Sequence, residues 1–544
     1  MEQVEDRLSN LPKVILHNIL SRLPEEDAAR TSVLSKVWQE TWYTFPNLSF
    51  CDSHFIGKSI YPVEDISGMF PRPTKGFPKK RKDFINYVKS RLARFWKQRF
   101  TIKEFKLSVI YFELGYMSRD VNLWLKLASE SGVEVLELRN GHNKDEEGRS
   151  ECYVLPKSVI EVKTLIKLVL EGRIRVDKSL MNHSSKFFSL RELHLVNIVH
   201  FEEDEQAIEH IISCCPLIEI IFLILCGGRM KSLSMHGLQK LKKVVVDGIK
   251  KVYIDEASTL KSLYYGHYCL DAPFKIDYIQ CKYFKHLLLR LNSTTIITTK
   301  WFLELFPKFQ FLETLEILNC VLSEKINISS IQLTHLEVSD CSNLEEANID
   351  APNLLSCKFS GFGDSEPIIS FSNISSKLEV CVGLYINDDF DIFDVRDILQ
   401  NIKPQNVISL SLVIMKPIMD APNPMFLETS PPPIKHLDLC IYPTDYEIIL
   451  FSDLLHFLLL CCCPTTISFS LNTSTRAFIE FFYKKLMRRK DDKCFCSSYD
   501  TKCWWHDLKD VKVINSTKID ENIDLKTLLD SFEAWEKISL ILEF

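Results

Sequence analysis

One six-residue spacing, apolar-x-x-apolar-x-apolar, recurs through most of this chain and limits what it can fold into more than any other feature. It stands at Val133/Leu136/Leu138, Leu165/Leu168/Leu170, Leu190/Leu193/Leu195, Leu217/Ile220/Phe222, Leu241/Val244/Val246 and Leu260/Leu263/Tyr265. It continues at Phe284/Leu287/Leu289, Leu312/Leu315/Ile317, Leu333/Leu336/Val338 and Leu354/Cys357/Phe359, then at Val407/Leu410/Leu412 and Ile434/Leu437/Leu439 after a weaker stretch. Each match offers one short strand with too little apolar surface to be stable alone, so neighbours must stack into a solenoid.

Eight steps separate Leu165 from Leu354, an average of about 24 residues, which is the leucine-rich-repeat period. Individual spacings run from 19 to 28 residues, unlike a regular extracellular array. Cys320 and Cys341 fall three places after the last apolar residue of their repeats, where the repeat uses Asn or Cys to satisfy backbone groups inside the turn. Stretches such as IEHIISCCPLIEIIFLIL hold enough apolar residues for the helix of one repeat and the strand of the next. Between the buried residues of a strand, side chains point to the opposite, concave face. His194, Lys243, Tyr264, His286, Arg290, Glu316, His335, Glu337, Lys358, His436 and Asp438 take such places and form the candidate face for a bound partner. A solvated sheet face would look the same residue by residue, so the region, not any one side chain, is the candidate.

Ahead of the repeats lies a short helical module. Ser9 or Asn10 can cap a helix that admits Pro12 in its first turn and repeats Leu11, Ile15, Leu16, Ile19 and Leu20 at helical spacing. Leu23-Pro24 breaks it, and Glu25, Glu26 and Asp27 suit the start of a second helix. Ala28, Ala29, Val33, Leu34 and Trp38 supply another apolar set and Trp42 a third. Three helices in under fifty residues bury little surface, so the exposed apolar remainder asks for a partner.

Leu11-Pro12, Ile15-Leu16, Ile19-Leu20, Leu23-Pro24, Ala28-Ala29 and Ser32-Val33-Leu34-Ser35-Lys36, followed by Trp38 and Trp42, resemble the F-box of plant F-box/leucine-rich-repeat proteins with an FBD-type tail. Val37 departs from that pattern, where many relatives carry Arg. CWWHDLKDVKVI and the closing ISLILEF resemble the FBD wording. The resemblance implies docking on the Skp-type adaptor of a cullin–RING ubiquitin ligase, with Leu11, Pro12, Ile15, Leu16, Leu20, Leu23, Pro24, Val33, Leu34 and Trp38 as the contact set. Ile19 and Trp42 fit the module's own core better.

Composition bounds the function. The formal charge of −6 conceals a basic segment, 72–106, with thirteen Lys/Arg against Asp83 and Glu104. The rest is acidic, without the basic excess of a nucleic-acid binder. Within the basic segment, Lys79, Lys80, Arg81 and Lys82 have the form of a nuclear-import run, for which a solvated linker is the simpler reading. Phe84, Val88, Leu92, Phe95 and Trp96 predict an amphipathic helix, with Lys89, Arg91, Arg94 and Lys97 away from its apolar face. The most hydrophobic stretch, Leu454 to Cys463, is interrupted by His456 and too short to span a bilayer. Without an apolar N-terminal run, and with eighteen scattered cysteines, the expectation is a reducing compartment, cytoplasmic and/or nuclear, with the N-x-S/T sequons unused. Cys494, Cys496, Cys503 and His506 could offer soft ligands, but C-x-C-x6-C-x2-H is an unusual zinc spacing, and structural cysteines are favoured, with no metal or cofactor expected. GxxxxGK[ST], HExxH, GxSxG and the kinase loop set do not occur.

The expected fold is α/β: a three-helix F-box over 1–50, a basic linker and connecting helix over 51–99, a leucine-rich-repeat solenoid of curved parallel sheet and convex helices over 100–470, and a degenerate FBD-like cap over 471–544. The expected function is non-catalytic. The F-box grips the Skp-type adaptor, and through it cullin and a RING subunit, while the solenoid holds an unknown target, with no nucleic acid or membrane involved. A small-molecule-sensing F-box receptor, relying on Arg290, Lys358 and Tyr264, is the first rival. A ligase-independent repeat scaffold is the second, and an extracellular repeat receptor comes last.

Overall fold

The computed structural model of the 544-residue chain describes residues 8–23, 25–56, 77–112, 114–141, 152–178, 187, 189–199, 205–224, 230–267, 279–281, 283–291, 296–361, 367–386, 392–403, 407–415, 431–441, 451–470, 473–488, 504–515 and 537–544. The chain forms two compact units, Met1–Cys269 with Phe274–Tyr283, and Leu270–Pro273 with Phe284–Phe544.

The first unit opens with helices α1 (Lys13–Ser21), α2 (Glu25–Arg30) and α3 (Lys36–Thr44). Their core is Leu16, Leu20, Ala28, Trp38, Trp42 and Phe45, with Leu11, Ile19, Leu23, Ala29 and Tyr43 packed around it. The Ser9 hydroxyl does not cap α1, because it lies 2.8 Å from the Ser35 hydroxyl, and Pro12 takes the N-cap position without a side-chain hydrogen bond. Ser35 caps α3 by accepting from the Trp38 amide at 3.3 Å.

Eight strands follow as a parallel ladder: β1 (Asn47–Cys51), β2 (Glu104–Val109), β3 (Val135–Asn140), β4 (Lys167–Glu171), β5 (Glu192–Val196), β6 (Ile220–Ile224), β7 (Lys243–Asp247) and β8 (Ser262–His267). Each pairs with the next in an unshifted register, so one buried row runs Leu48, Phe105, Leu136, Leu168, Leu193, Ile221, Val244, Leu263. The sheet starts earlier than the repeat spacing indicates, because β1 follows α3 directly. Asp52, fully buried, ties it down by accepting the backbone N–H groups of Ile110, Tyr111 and Phe112 at 2.8–2.9 Å. Strand β6 corrects one expected register. In its continuous apolar run, Ile218, Ile221 and Leu223 are buried, while Leu217 is exposed and Ile220 and Phe222 are half-buried. A one-residue slip moves every side chain to the other face, and an all-apolar run does not show which register holds.

Helix α4 (Phe77–Gln98) buries Phe84, Val88, Arg91, Leu92 and Phe95, whereas Trp96 is 54% exposed. The expected apolar face therefore loses Trp96 and gains Arg91. The import-like run Lys79–Lys82 is helical, not extended, and the Arg81 guanidinium lies 5.9 Å from the ring centre of Tyr116. Helix α5 (Ser118–Glu130) buries Val121, Trp124, Leu125 and Ala128.

The second unit repeats the ladder with β9 (His286–Leu291), β10 (Thr314–Leu318), β11 (His335–Ser339), β12 (Ser356–Ser360), β13 (Glu379–Ile386), β14 (Val407–Ile414), β15 (Pro433–Ile441) and β16 (Cys463–Ser470). These are parallel, with one irregularity beside Val380. Two antiparallel strands, β17 (Asp510–Asn515) and β18 (Lys537–Glu543), close it, β18 pairing with both β16 and β17. They break the all-parallel order of the repeats at that end of the sheet. Cys320 and Cys341 behave as the repeat spacing requires: their thiols donate to the carbonyls of Leu318 (3.3 Å) and of Ser339 and Ile317 (3.4 and 3.5 Å).

Close stacking leaves several glycine positions without room for a side chain, Gly172 among them. Gly172, at φ +91°, follows β4, and a Cβ there would collide with the Asn140 carbonyl oxygen. Gly132 also has positive φ, +80°, but open space around it. Gly172→Ala should cost about 1–3 kcal/mol and clearly more than Gly132→Ala. Chemical denaturation of both variants checks this, and equal losses would show that the close approach is unimportant.

Candidate functional site

The three-helix module divides its apolar residues between an interior and a surface. Leu16 and Leu20 are 1% exposed and Trp38 is 3% exposed, all within the module's own core. They are therefore corrected from contact residues to core residues: each points into the space shared by α1 and α3. Trp42 is core as expected, at 8%. Leu11 and Leu23 are half-buried at the rim, and Pro24 lies outside the described residues. Pro12 and Ile15 are exposed, and Val33 and Leu34 stand out at 84% and 64%.

Local hydrogen bonds hold this surface in place. Thr31 and Ser32 hydroxyls donate to the Ala28 and Ala29 carbonyls at 2.6 Å, fixing the short 3-10 turn Thr31–Val33. That turn carries Val33 outward instead of back into the core. The Ser9–Ser35 hydroxyl contact brings the lead-in to α1 beside the lead-in to α3, so exposed Leu8 and Leu34 flank the same junction. Leu8, Val14 and Val37 are exposed apolar residues that sequence reading left out of the contact set. Val37 is the departure from the F-box pattern, and it adds apolar surface where an Arg would add charge.

The open face of the sheets gathers the other candidates by register. In the second unit Glu316, Glu337 and Lys358 are consecutive in one row across β10, β11 and β12. Lys358 Nζ reaches a Glu337 oxygen at 2.8 Å. Burial, reinforced by the Glu337 charge, pushes the Glu316 carboxyl above its usual range. His286 and His335 lie one row away with Thr314 between them, their Nδ1 atoms 3.1 and 2.8 Å from the Thr314 and Thr334 hydroxyls. Arg290 lies next to last in β9; burial pushes the Asp340 carboxyl above its usual range, against the charges of Lys358 and Arg290. His436 and Asp438 stand together on β15, and Lys537 of β18 reaches Asp438 at 2.7 Å. In the first unit, Lys243 is exposed at the start of β7, and the Tyr264 hydroxyl donates to Asp247 at 3.4 Å. His194 stacks on Phe222 with ring centres 5.3 Å apart. Phe222 is thus an open-face residue concealed by the register slip of β6.

Among the described residues no group of three or more His, Cys, Asp or Glu could hold a metal ion, and no helix is long and apolar enough to cross a membrane. Of the Cys/His set near the C-terminus only His506 is described, accepting from the Trp505 indole N–H at 3.2 Å, while Cys494, Cys496 and Cys503 lie outside the described residues.

A compact helical module with a filled core and an exposed apolar surface precedes a parallel repeat ladder. Residues 8–50 match the F-box domain model. Residues 121–287 match the leucine-rich repeats of FBD-associated F-box protein At5g56370, and residues 255–518 the leucine-rich-repeat domain of At1g61320/AtMIF1. Among Arabidopsis thaliana proteins, the probable FBD-associated F-box protein At1g32375 is 29% identical over 41% of this chain and 44% of its own length. The F-box/FBD/LRR-repeat protein At4g00160 is 28% identical over 49% and 54%. The putative F-box/FBD/LRR-repeat protein At5g62970 is 24% identical over 58% and 65%. The matches span about half the length of these relatives. This chain carries an F-box followed by leucine-rich-repeat domains, similar to these plant proteins.

Two outcomes follow from this arrangement. Leu16→Asp places a charge in the module core and should unfold it, a cost of several kcal/mol, whereas Leu34→Asp should leave its helicity intact. Circular dichroism and limited proteolysis of the full chain distinguish them. The second concerns pH. Burial holds His194, His286 and His436 below their ordinary 6.5, so the folded state disfavours their protonation. Their contribution to stability is present above 6.5 and is lost as pH falls through the lower folded values. Unfolding free energy should drop as pH is lowered below 6.5, and His194→Phe, which keeps the stack on Phe222, should flatten the slope.

Proposed function

We propose that this chain is the substrate-recognition subunit of a Skp–cullin–F-box ubiquitin ligase. In this reading the F-box docks on a Skp-type adaptor, and through it on cullin and a RING subunit, while the solenoid's open face holds a target protein. The observation that carries it is the exposed apolar set Ile15, Val33, Leu34 and Val37 on a module whose own core is complete without them. Covering an apolar side chain of this size is worth about 1.5–3 kcal/mol, so such a surface favours a protein partner over water. Ubiquitin transfer belongs to other subunits, and this chain contributes proximity, raising the effective concentration of target lysines near the loaded E2. The chain works in the cytoplasm and/or the nucleus, where such assemblies meet their targets.

The small-molecule rival gains no support from the open face. Lys358 is paired with Glu337 at 2.8 Å, which answers its charge within the face.

Co-expression of the full chain with a Skp-type adaptor should give one co-eluting species at equal stoichiometry in size exclusion. Val33→Asp with Leu34→Asp should abolish co-elution while circular dichroism stays unchanged. Co-elution of that folded double variant, or failure of the folded parent to bind, would count decisively against the reading.

A further inference from the structure

We infer that Arg91 is a positioning residue that locks the F-box at one angle to the repeats, a role that rests on the ligase-receptor reading above. Helix α4 packs on two neighbours within the first unit. Toward the repeats, Phe84 meets Trp124 of α5 edge-on with ring centres 6.3 Å apart, and Lys89 pairs with Asp120 at 2.6 Å. Tyr87 meets Phe50 of β1 at 6.0 Å. Toward the F-box, the Arg91 guanidinium donates from Nη2 to the Trp42 carbonyl at 2.7 Å and lies 4.4 Å from the centre of the Trp42 ring. Arg94, one turn on, sits 3.6 Å from the ring centre of Tyr43. Two arginines of one helix thus grip two consecutive aromatic residues in the last turn of α3.

The chemistry makes this joint selective for one geometry. A helix C-terminus carries partial negative charge, and a planar guanidinium can donate in its plane while its face covers an indole. Arg91 is only 7% exposed, so its charge is largely removed from water. A cation so far removed from water depends on the contacts it does make, and rotating the F-box away from α4 would break those to Trp42. Proximity-driven transfer depends on such stiffness, because a hinge between adaptor and target dilutes the effective concentration.

Single-pair FRET on the full chain tests this, with dyes on azido-phenylalanine at Asn18 and Lys126, both exposed and outside the grip. The parent should show one narrow efficiency distribution. Arg91→Ala, with helicity and adaptor co-elution unchanged, should broaden it or add a second population, and Arg91→Lys should restore it in part. A role confined to folding stability would lower the melting temperature and leave the width alone. A narrow distribution in folded Arg91→Ala overturns the inference. Where that variant fails to fold, Arg91→Lys and Arg94→Ala decide: added width in either supports the grip, and parental width in both overturns it. Adaptor co-elution is read separately, so a parent that binds no adaptor refutes the receptor reading while the FRET widths still judge the joint.

Discussion

Every other feature of this molecule depends on parallel strands stacking in register. A single repeat exposes its apolar residues on the sides where the next repeat must sit, so the array is stable only as an array. Register keeps Leu48, Phe105, Leu136, Leu168, Leu193, Ile221, Val244 and Leu263 in one continuous buried row in the first unit. Once that row is fixed, the open face is fixed too, because successive side chains alternate. The close approach of neighbouring turns, seen at Gly172, follows from the same stacking.

The F-box is stabilised by different means. Its core of six residues is small, and the structure supplements it from outside. Arg91 and Arg94 lend it contacts from α4, and β1 carries the chain from α3 straight into the sheet. The module therefore borrows stability from the repeats, which leaves its outward apolar residues free to remain on the surface. The connecting helix expected within residues 51–99 begins at Phe77 and takes in the basic run Lys79–Lys82.

Charge on the open face is largely answered from within. Glu337 holds Lys358, and Asp438 holds Lys537 from the terminal strand. Exposed pairs of this kind contribute little stability, about 0–1 kcal/mol each. They neutralise part of the charge that this face would otherwise present.

The leucine spacing alone was enough to determine a repeat solenoid, because a period near 24 with a strand-sized apolar pattern has few other solutions. The thiols of Cys320 and Cys341, the helix and strand of residues 205–224, and the core role of Trp42 were legible for the same reason: each follows from local spacing. Three features were decided only in three dimensions. Leu16, Leu20 and Trp38 share a helical pattern with exposed neighbours, and only the crossing of α1 and α3 shows which of them fill the interior. Phe222 sits in a run where every residue is apolar, so pairing with β5 and β7 had to choose its face. Arg91 reads in sequence as one cation among thirteen, and it becomes a joint only because the fold brings the end of α3, 49 residues away, against its guanidinium.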